Sequence, residues 1–415
     1  MLNDIFHSIV WSEQRWRECL GLNLTLVSRV PEDVQHKVPR HWHQFEAPHP
    51  LWQPILGTFY ILIGAVAMMG NSLVLWIFGT TRSLRCGTNL LVMNLALTDL
   101  LMVLTQFPVL VANCYNHRWT LGPAACEIYG FCGALFGTVS IITMALIALD
   151  RYFAIVNPYS GWRLSYGKAS VWVGAAWSYG VLWCIPPLVG WNQYVLEGFL
   201  TSCTFDYLSD EPWSRLYVFL MFMFAYVIPL AVISWCYSCI YFSVSRHDRR
   251  LIKENQMAVN SLNIHQRETQ LARVVLTSVG FWTMAWTPYA VVALLGVFSW
   301  SSALTPINTM LPALFAKLST LYNPFIYAVS HHRYRQEVAR RLPWLCWVMI
   351  TERHQGMPST LRSPTFLYHS DVVSHTSSFR TFSKKEKAVI DLPSADNLAS
   401  SMARDSTSHS RSTDL

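Results

Sequence analysis

Charge is what this sequence has least of: only 13% of its 415 residues are Asp, Glu, Lys or Arg, while 52% are hydrophobic. Soluble domains carry roughly 25% charged residues, so the deficit excludes an ordinary water-soluble globule and points to a lipid environment. Cysteine is sparse as well. Ten in the whole chain exclude a disulfide scaffold, and Cys132, Cys184, Cys236 and Cys239 fall inside apolar runs, where a thiol packs as a small hydrophobe. The first fifty residues contain no apolar h-region, so no cleavable signal peptide is expected and the first membrane span directs its own insertion. The net charge of +7 is spread over short loops and forms no extended basic face, which sets nucleic acid aside as a partner. No Ser-His-Asp arrangement, phosphate-cradling glycine loop or metal-spaced His/Cys cluster shares one wet region, and His331-His332 is too sparse for a metal site. Neither an enzyme nor a metal centre is expected.

What is abundant is apolar length. Seven runs, at 51–78, 88–112, 123–149, 169–190, 216–244, 274–304 and 305–330, are each long enough to cross ~30 Å of hydrocarbon, which takes about 20 helical residues. Lipid offers no partner to free backbone groups, so single spans must be helical, and nothing alternates as a transmembrane barrel strand does. The expected fold is an all-α membrane protein, a seven-transmembrane helix bundle with a short amphipathic eighth helix. Lys and Arg cluster after span one, between spans three and four, between five and six and after seven, which places those loops in the cytoplasm and the N-terminus outside. The domains then read as an extracellular N-terminal tail (1–50), the bundle (51–330), an interfacial helix (331–346) and a disordered cytoplasmic tail (347–415) rich in Ser and Thr. Asn23-Leu24-Thr25 is a glycosylation sequon on the outer tail, Cys346 a palmitoylation site, and Thr413-Asp414-Leu415 has the form of a C-terminal ligand for a PDZ groove.

Charges inside spans cost about 2.5 to 3.5 kcal/mol each on insertion scales, so each calls for an explanation. Three do: Asp99 in mid-span two, Glu127 near the outer end of span three, and Lys317 at the centre of span seven, the only lysine in any span. An ion pair between Lys317 and Asp99 is one reading. The chemical alternative is that a desolvated lysine amine becomes a nucleophile toward an aldehyde.

Gly70-Asn71, Leu95 to Asp99, Asp150-Arg151-Tyr152, Trp177 with Pro186-Pro187, Pro229 with Tyr237, Trp286-Thr287-Pro288 and Asn323-Pro324-Phe325-Ile326-Tyr327 occur in that order. Together they resemble the signatures of rhodopsin-like G-protein-coupled receptors. Lys317, seven residues before Pro324, resembles the opsin hallmark, and Tyr129, three residues after Cys126, makes the chain more similar to invertebrate rhabdomeric opsins than to vertebrate visual pigments.

The resemblance implies a set of roles. Retinal, as the 11-cis isomer, would be held as a Schiff base at Lys317, and Cys126 would bridge to Cys203. Glu197 would serve as counterion, with Glu127 as its rival. Tyr129, Gly133, Phe224, Trp286 and Tyr289 would wall the pocket. Light would isomerise the chromophore to all-trans; Arg151 would then part from Asp150 and Glu268, with Tyr152 beside it, and Tyr237 and Tyr327 would support the open state. Asp99, Asn71 and Asn323, next to Pro324, would form a polar cluster. The partners implied are the lipid bilayer, a heterotrimeric G protein of the Gq type, and arrestin and a receptor kinase at the tail. His331-His332-Arg333 departs from the His-Pro-Lys triplet usual in rhabdomeric opsins. A retinal photoisomerase or a light-independent receptor is the alternative; an amine receptor is disfavoured by Gly133, where such receptors resemble one another in an aspartate, and a transporter by the lack of paired charges and inverted repeats.

Overall fold

The computed structural model describes residues 25–157, 162–254, 259–330 and 332–343, excepting the side chains of 247–271 and 329–332. Contacts divide the chain into Met1–Gly356 and Met357–Leu415, and all described residues lie in the first unit. Asn23, Cys346, Thr413 to Leu415 and the side chain of Glu268 lie outside the described residues.

Seven long helices make the bundle: α1 (Trp52–Thr80), α2 (Gly87–Tyr115), α3 (Gly122–Val156), α4 (Tyr166–Cys184), α5, α6 (Val259–Val297) and α7 (Pro306–Ser330). Helix α5 runs as Pro212–Phe222, a π turn Met223–Val227, and Ile228–Glu254. A short helix α8 (His332–Arg341) follows, with Tyr334 and Val338 buried on one side and Arg333 and Arg340 exposed on the other. It is fastened to α1 by Arg341, whose guanidinium donates to Thr80 and Thr81 and lies 5.0 Å over the Trp76 ring.

By length and composition, six of the described helices, all but α7, are apolar enough to cross a membrane. Helix α7 carries Lys317, Ser319, Thr320, Asn323 and two internal prolines, which dilute its apolar character. Helix α3 touches α2, α4, α5, α6 and the hairpin described next, and so forms the axis of the bundle.

The hydrogen bond lost at Pro324 is replaced by a side chain from a neighbouring helix, because a bare carbonyl in hydrocarbon costs several kcal/mol. Pro324 has no N–H to give to the carbonyl four residues earlier, and Asn71 Nδ2 donates to that Thr320 oxygen at 2.9 Å. A Cβ on Gly70 would come within 2.8 Å of the Pro324 Cβ, so glycine permits the approach of α1 to α7 that brings Asn71 there.

One end of the bundle is closed by a hairpin of β1 (Tyr194–Glu197) and β2 (Ser202–Phe205), antiparallel, with Leu196 opposite Cys203 and Glu197 opposite Ser202. Its turn needs left-handed backbone at Gly198 and Leu200. Cys203 is joined by a disulfide to Cys126 on α3. Closing a separation of 77 residues is worth roughly 4 kcal/mol on a chain-entropy account. The Cys126→Ser, Cys203→Ser double variant is therefore expected to unfold well below the intact protein in a thermal scan; an unchanged midpoint would show that packing alone holds the hairpin.

Sequence reading assigned residues 25–50 only to a tail, yet they fold onto this end as three 3-10 turns, Leu26–Arg29, Glu32–Lys37 and Arg40–Gln44. Val34 and Trp42 are fully buried in a cluster with Trp119, Cys126 and Leu196. Lys37 Nζ meets Glu127 Oε1 at 2.6 Å, and His41 Nε2 donates to the Leu304 carbonyl at 2.9 Å.

Candidate ligand pocket

Beneath the hairpin lies a pocket bounded by α2, α3, α5, α6 and α7, with about 1000 Å³ of empty space up to its open mouth. Its walls are largely apolar. Small residues widen it: Gly130, Gly133, Ala134 and Gly137 on α3, Ala290 and Ala293 on α6, Ala313 and Ala316 on α7. Packing around the glycines is tight, since a Cβ on Gly137 would lie 2.6 Å from the Trp286 ring and one on Gly130 only 2.3 Å from the Tyr194 ring. The indole of Trp286 is fixed further by its Nε1 donating to Ser319 Oγ at 3.1 Å and by stacking on Trp282 at 5.3 Å.

Apart from the indoles of Trp282 and Trp286, its polar side chains are Gln106, Thr138, Glu197, Thr204, Tyr226, Tyr289 and Lys317. A mostly apolar cavity with a small number of placed polar groups is what a small-molecule site requires. None of the ion pairs within 4.0 Å among the described residues includes Lys317, and its Nζ sits 5.9 Å from the centre of the Tyr129 ring. The alternative pairing with Asp99 is not made; that carboxylate accepts from Asn323 Nδ2 at 2.8 Å.

The carboxylate near enough for its charge to act on Lys317 is Glu197, carried into the bundle at the end of β1 and 4% exposed. Tyr289 and Tyr207 donate to its Oε2 at 3.4 and 3.5 Å, and Tyr289 also bonds Thr204 Oγ1 at 2.5 Å. Burial pushes the Glu197 carboxyl up to about 7, while the charge of Lys317 and the hydroxyls of Tyr289, Tyr207 and Ser202 pull it back down. Glu127, the rival, is bound to Lys37, has a side chain 42% exposed and does not line the pocket.

Of the predicted wall residues, Gly133, Trp286 and Tyr289 line the cavity, and Tyr129 stands just behind it, edge-on to Trp119. Phe224 does not belong there. The inward stripe of α5 at this level is Val218, Met221, Phe222, Ala225 and Tyr226, a helical spacing that puts position 224 on the opposite side. Its ring is 39% exposed and stacks on Trp183 at 5.1 Å. Sequence reasoning passed over Gln106, whose Nε2 donates to the Tyr129 carbonyl at 2.9 Å and whose Oε1 stands 3.3 Å from a Cβ built on Gly133. A buried amide in span two is a signal of the same kind as Asp99, only weaker.

At the far end of the bundle Arg151 Nη2 meets Asp150 Oδ2 at 2.5 Å, and both bond the Thr88 hydroxyl, at 3.0 and 2.7 Å. The Tyr152 ring packs on Trp235 at 4.8 Å. Tyr327 is buried edge-on to Phe78 at 6.4 Å. The buried Tyr237 hydroxyl has no hydrogen-bond partner among the described residues and is close enough to Arg151 to feel its charge.

Residues 70–327 match the family model described as "7 transmembrane receptor (rhodopsin family)". The chain is 38% identical over 391 residues to a rhodopsin of Procambarus clarkii, covering 91% of this chain and 98% of that protein. Over 330 residues it is 40% identical to the lateral eye opsin of Limulus polyphemus, covering 78% and 88%. Among solved structures, squid rhodopsin superposes with a TM-score of 0.72 at 34% identity, covering 76% of this chain and 91% of that one.

Proposed function

The chain belongs to the rhodopsin family of seven-transmembrane receptors, as an opsin of the invertebrate type, and from that premise we propose that it carries retinal covalently at Lys317. At the coarser level it is a multi-pass membrane protein and a light-sensing G-protein-coupled receptor, not an enzyme. The observation that carries the finer reading is Lys317 itself, an amine buried in an apolar pocket with a carboxylate nearby and no ion pair within 4.0 Å among the described residues. Retinal, when bound, supplies the absorption of light and the change from the 11-cis to the all-trans form.

The rest is the work of this chain. Lys317 Nζ holds the ligand, and Glu197, oriented by Tyr289 and Tyr207, is the anion that keeps the nitrogen there protonated. Trp286, wedged against Gly137, transmits a change of ligand shape to α6. The hairpin and residues 25–46 lie on the outer side, excluding water from the pocket. On the cytoplasmic side the Arg151–Asp150–Thr88 cluster holds the resting arrangement; its release as α6 swings outward exposes a cleft for a heterotrimeric G protein, of the Gq type. Arrestin and a receptor kinase act on the tail (347–415), with a PDZ protein at Thr413 to Leu415. Asn23 is glycosylated and Cys346 is palmitoylated.

The test is an absorption spectrum of the purified protein mixed with 11-cis-retinal, in the dark and after a flash. A visible or near-ultraviolet band that moves on illumination is expected; no new band would overturn the reading. Asp150→Asn removes the charge that holds Arg151 while keeping the shape, and should raise nucleotide exchange on a Gq-type heterotrimer in the dark several-fold. Dark exchange at the wild-type rate would remove the pair from the switch.

A further inference from the structure

Tyr179, on α4 and outside the pocket, donates its hydroxyl to the main-chain carbonyl of Phe224 on α5 at 2.9 Å. That carbonyl has a particular need. In the π turn Met223–Val227 the N–H of Ile228 goes to Met223, so it is not available to Phe224, and the next amide along belongs to Pro229, which has no N–H. Both donors within helical reach of the Phe224 carbonyl are therefore missing, at a level where lipid offers none. Trp183 closes the same cluster, stacked on the Phe224 ring at 5.1 Å and 6.3 Å from the ring of Tyr179.

The π turn has a consequence for the pocket. Before it, α5 buries Ser214, Tyr217, Val218 and Met221; after it, Pro229, Ile233, Cys236, Tyr237 and Ile240. On an unbroken α-helix those two sets do not lie on one face. They are out of phase by one residue, about 100° around the axis, and the extra residue of the π turn absorbs that difference. The half of α5 that lines the pocket and the half that carries Tyr237 toward Arg151 both face inward only while the turn keeps its wide form.

We infer that Tyr179 is a positioning residue of the pocket: by supplying the donor that the Phe224 carbonyl lacks, it holds the π turn of α5 and so fixes how Met221 and Phe222 are presented to the ligand. The inference rests on the reading of the pocket as a retinal site for its ligand, though not for the geometry of α5.

Tyr179→Phe removes one oxygen and leaves the ring against Trp183. In the ligand-free protein, hydrogen exchange of the amides from Phe222 to Ile233 should become several-fold faster while other helices keep the wild-type rate. With 11-cis-retinal the pigment should still form, with its absorption maximum displaced from wild type. Trp183→Phe, which keeps the hydroxyl bond, should show neither change and so separates the bond from the packing. Unchanged exchange and an unchanged maximum in Tyr179→Phe would overturn the inference, as would faster exchange spread evenly over the bundle. Should wild-type protein form no pigment at all, the retinal reading falls, and the exchange of α5 still decides the role of Tyr179.

Discussion

Replacing Lys317 with alanine is expected to abolish the retinal-dependent absorption band, not to shift it. The other polar groups on the pocket wall are Gln106, Thr138, Glu197, Thr204, Tyr226, Tyr289 and two indoles; none is an aliphatic amine, so none forms an imine with an aldehyde. No second lysine lies in any of the seven apolar runs, and Lys168, in the first turn of α4, does not line the pocket. The experiment needs a companion, because alanine removes both the nucleophile and the positive charge near Glu197. Lys317→Arg keeps the charge but not the chemistry, since the guanidinium stays protonated. Loss of the band in both variants, with each still folded by far-ultraviolet circular dichroism, would establish attachment through this nitrogen. A band of wild-type intensity in either one would place the ligand elsewhere, or hold it without a bond.

Lys317 stands out in the sequence because a lysine amid apolar residues breaks the pattern that makes the span visible; the retinal role proposed for it comes from the resemblance. The same polarity hides the span from a purely compositional test: α7 is not among the six described helices apolar enough to cross a membrane, since Lys317, Asn323 and the prolines lower its mean hydropathy. Helix ends were less legible. Helices α3 and α5 run on to Val156 and Glu254, beyond the apolar runs, because helix formation does not stop where the hydrocarbon does. Residues 25–46 gave no warning at all. Their 3-10 turns are too short to carry a periodic pattern, and Trp42 and Val34 are buried by partners at Trp119 and Leu196, contacts that only the closed bundle creates. The misplacement of Phe224 has a simpler cause: a resemblance conveys which residue type stands at a position, whereas the face it occupies depends on the helical phase, which the neighbours Phe222 and Tyr226 reveal.

For Glu197 the expected result is a stability that falls with pH between about 5 and 8 and falls less in Glu197→Gln. Burial raises the carboxyl from its ordinary 4.5 to about 7, against the opposing pull of Lys317 and the Tyr289 and Tyr207 hydroxyls. A group whose folded-state value is raised binds its proton more tightly in the fold than in the unfolded chain. Its contribution is therefore complete below the unfolded value and is lost as pH rises through the folded one. The rise from 4.5 to about 7 corresponds to roughly 3 kcal/mol across the window. The thermal midpoint of the ligand-free protein should thus fall with rising pH over this range, and that of Glu197→Gln, in which position 197 is neutral throughout, should fall less steeply. A wild-type midpoint independent of pH would mean that Glu197 ionises as an exposed carboxylate does. On the proposed retinal reading, the same substitution removes the carboxylate whose charge acts on Lys317, so the pigment at neutral pH should move from its wild-type maximum toward the near ultraviolet, and acid or an added halide should partly restore it. A spectrum identical to wild type would transfer the counterion role to Glu127; Lys37 holds that residue away from the pocket at 2.6 Å, which makes Lys37→Met together with Glu127→Gln the control that decides between the two carboxylates.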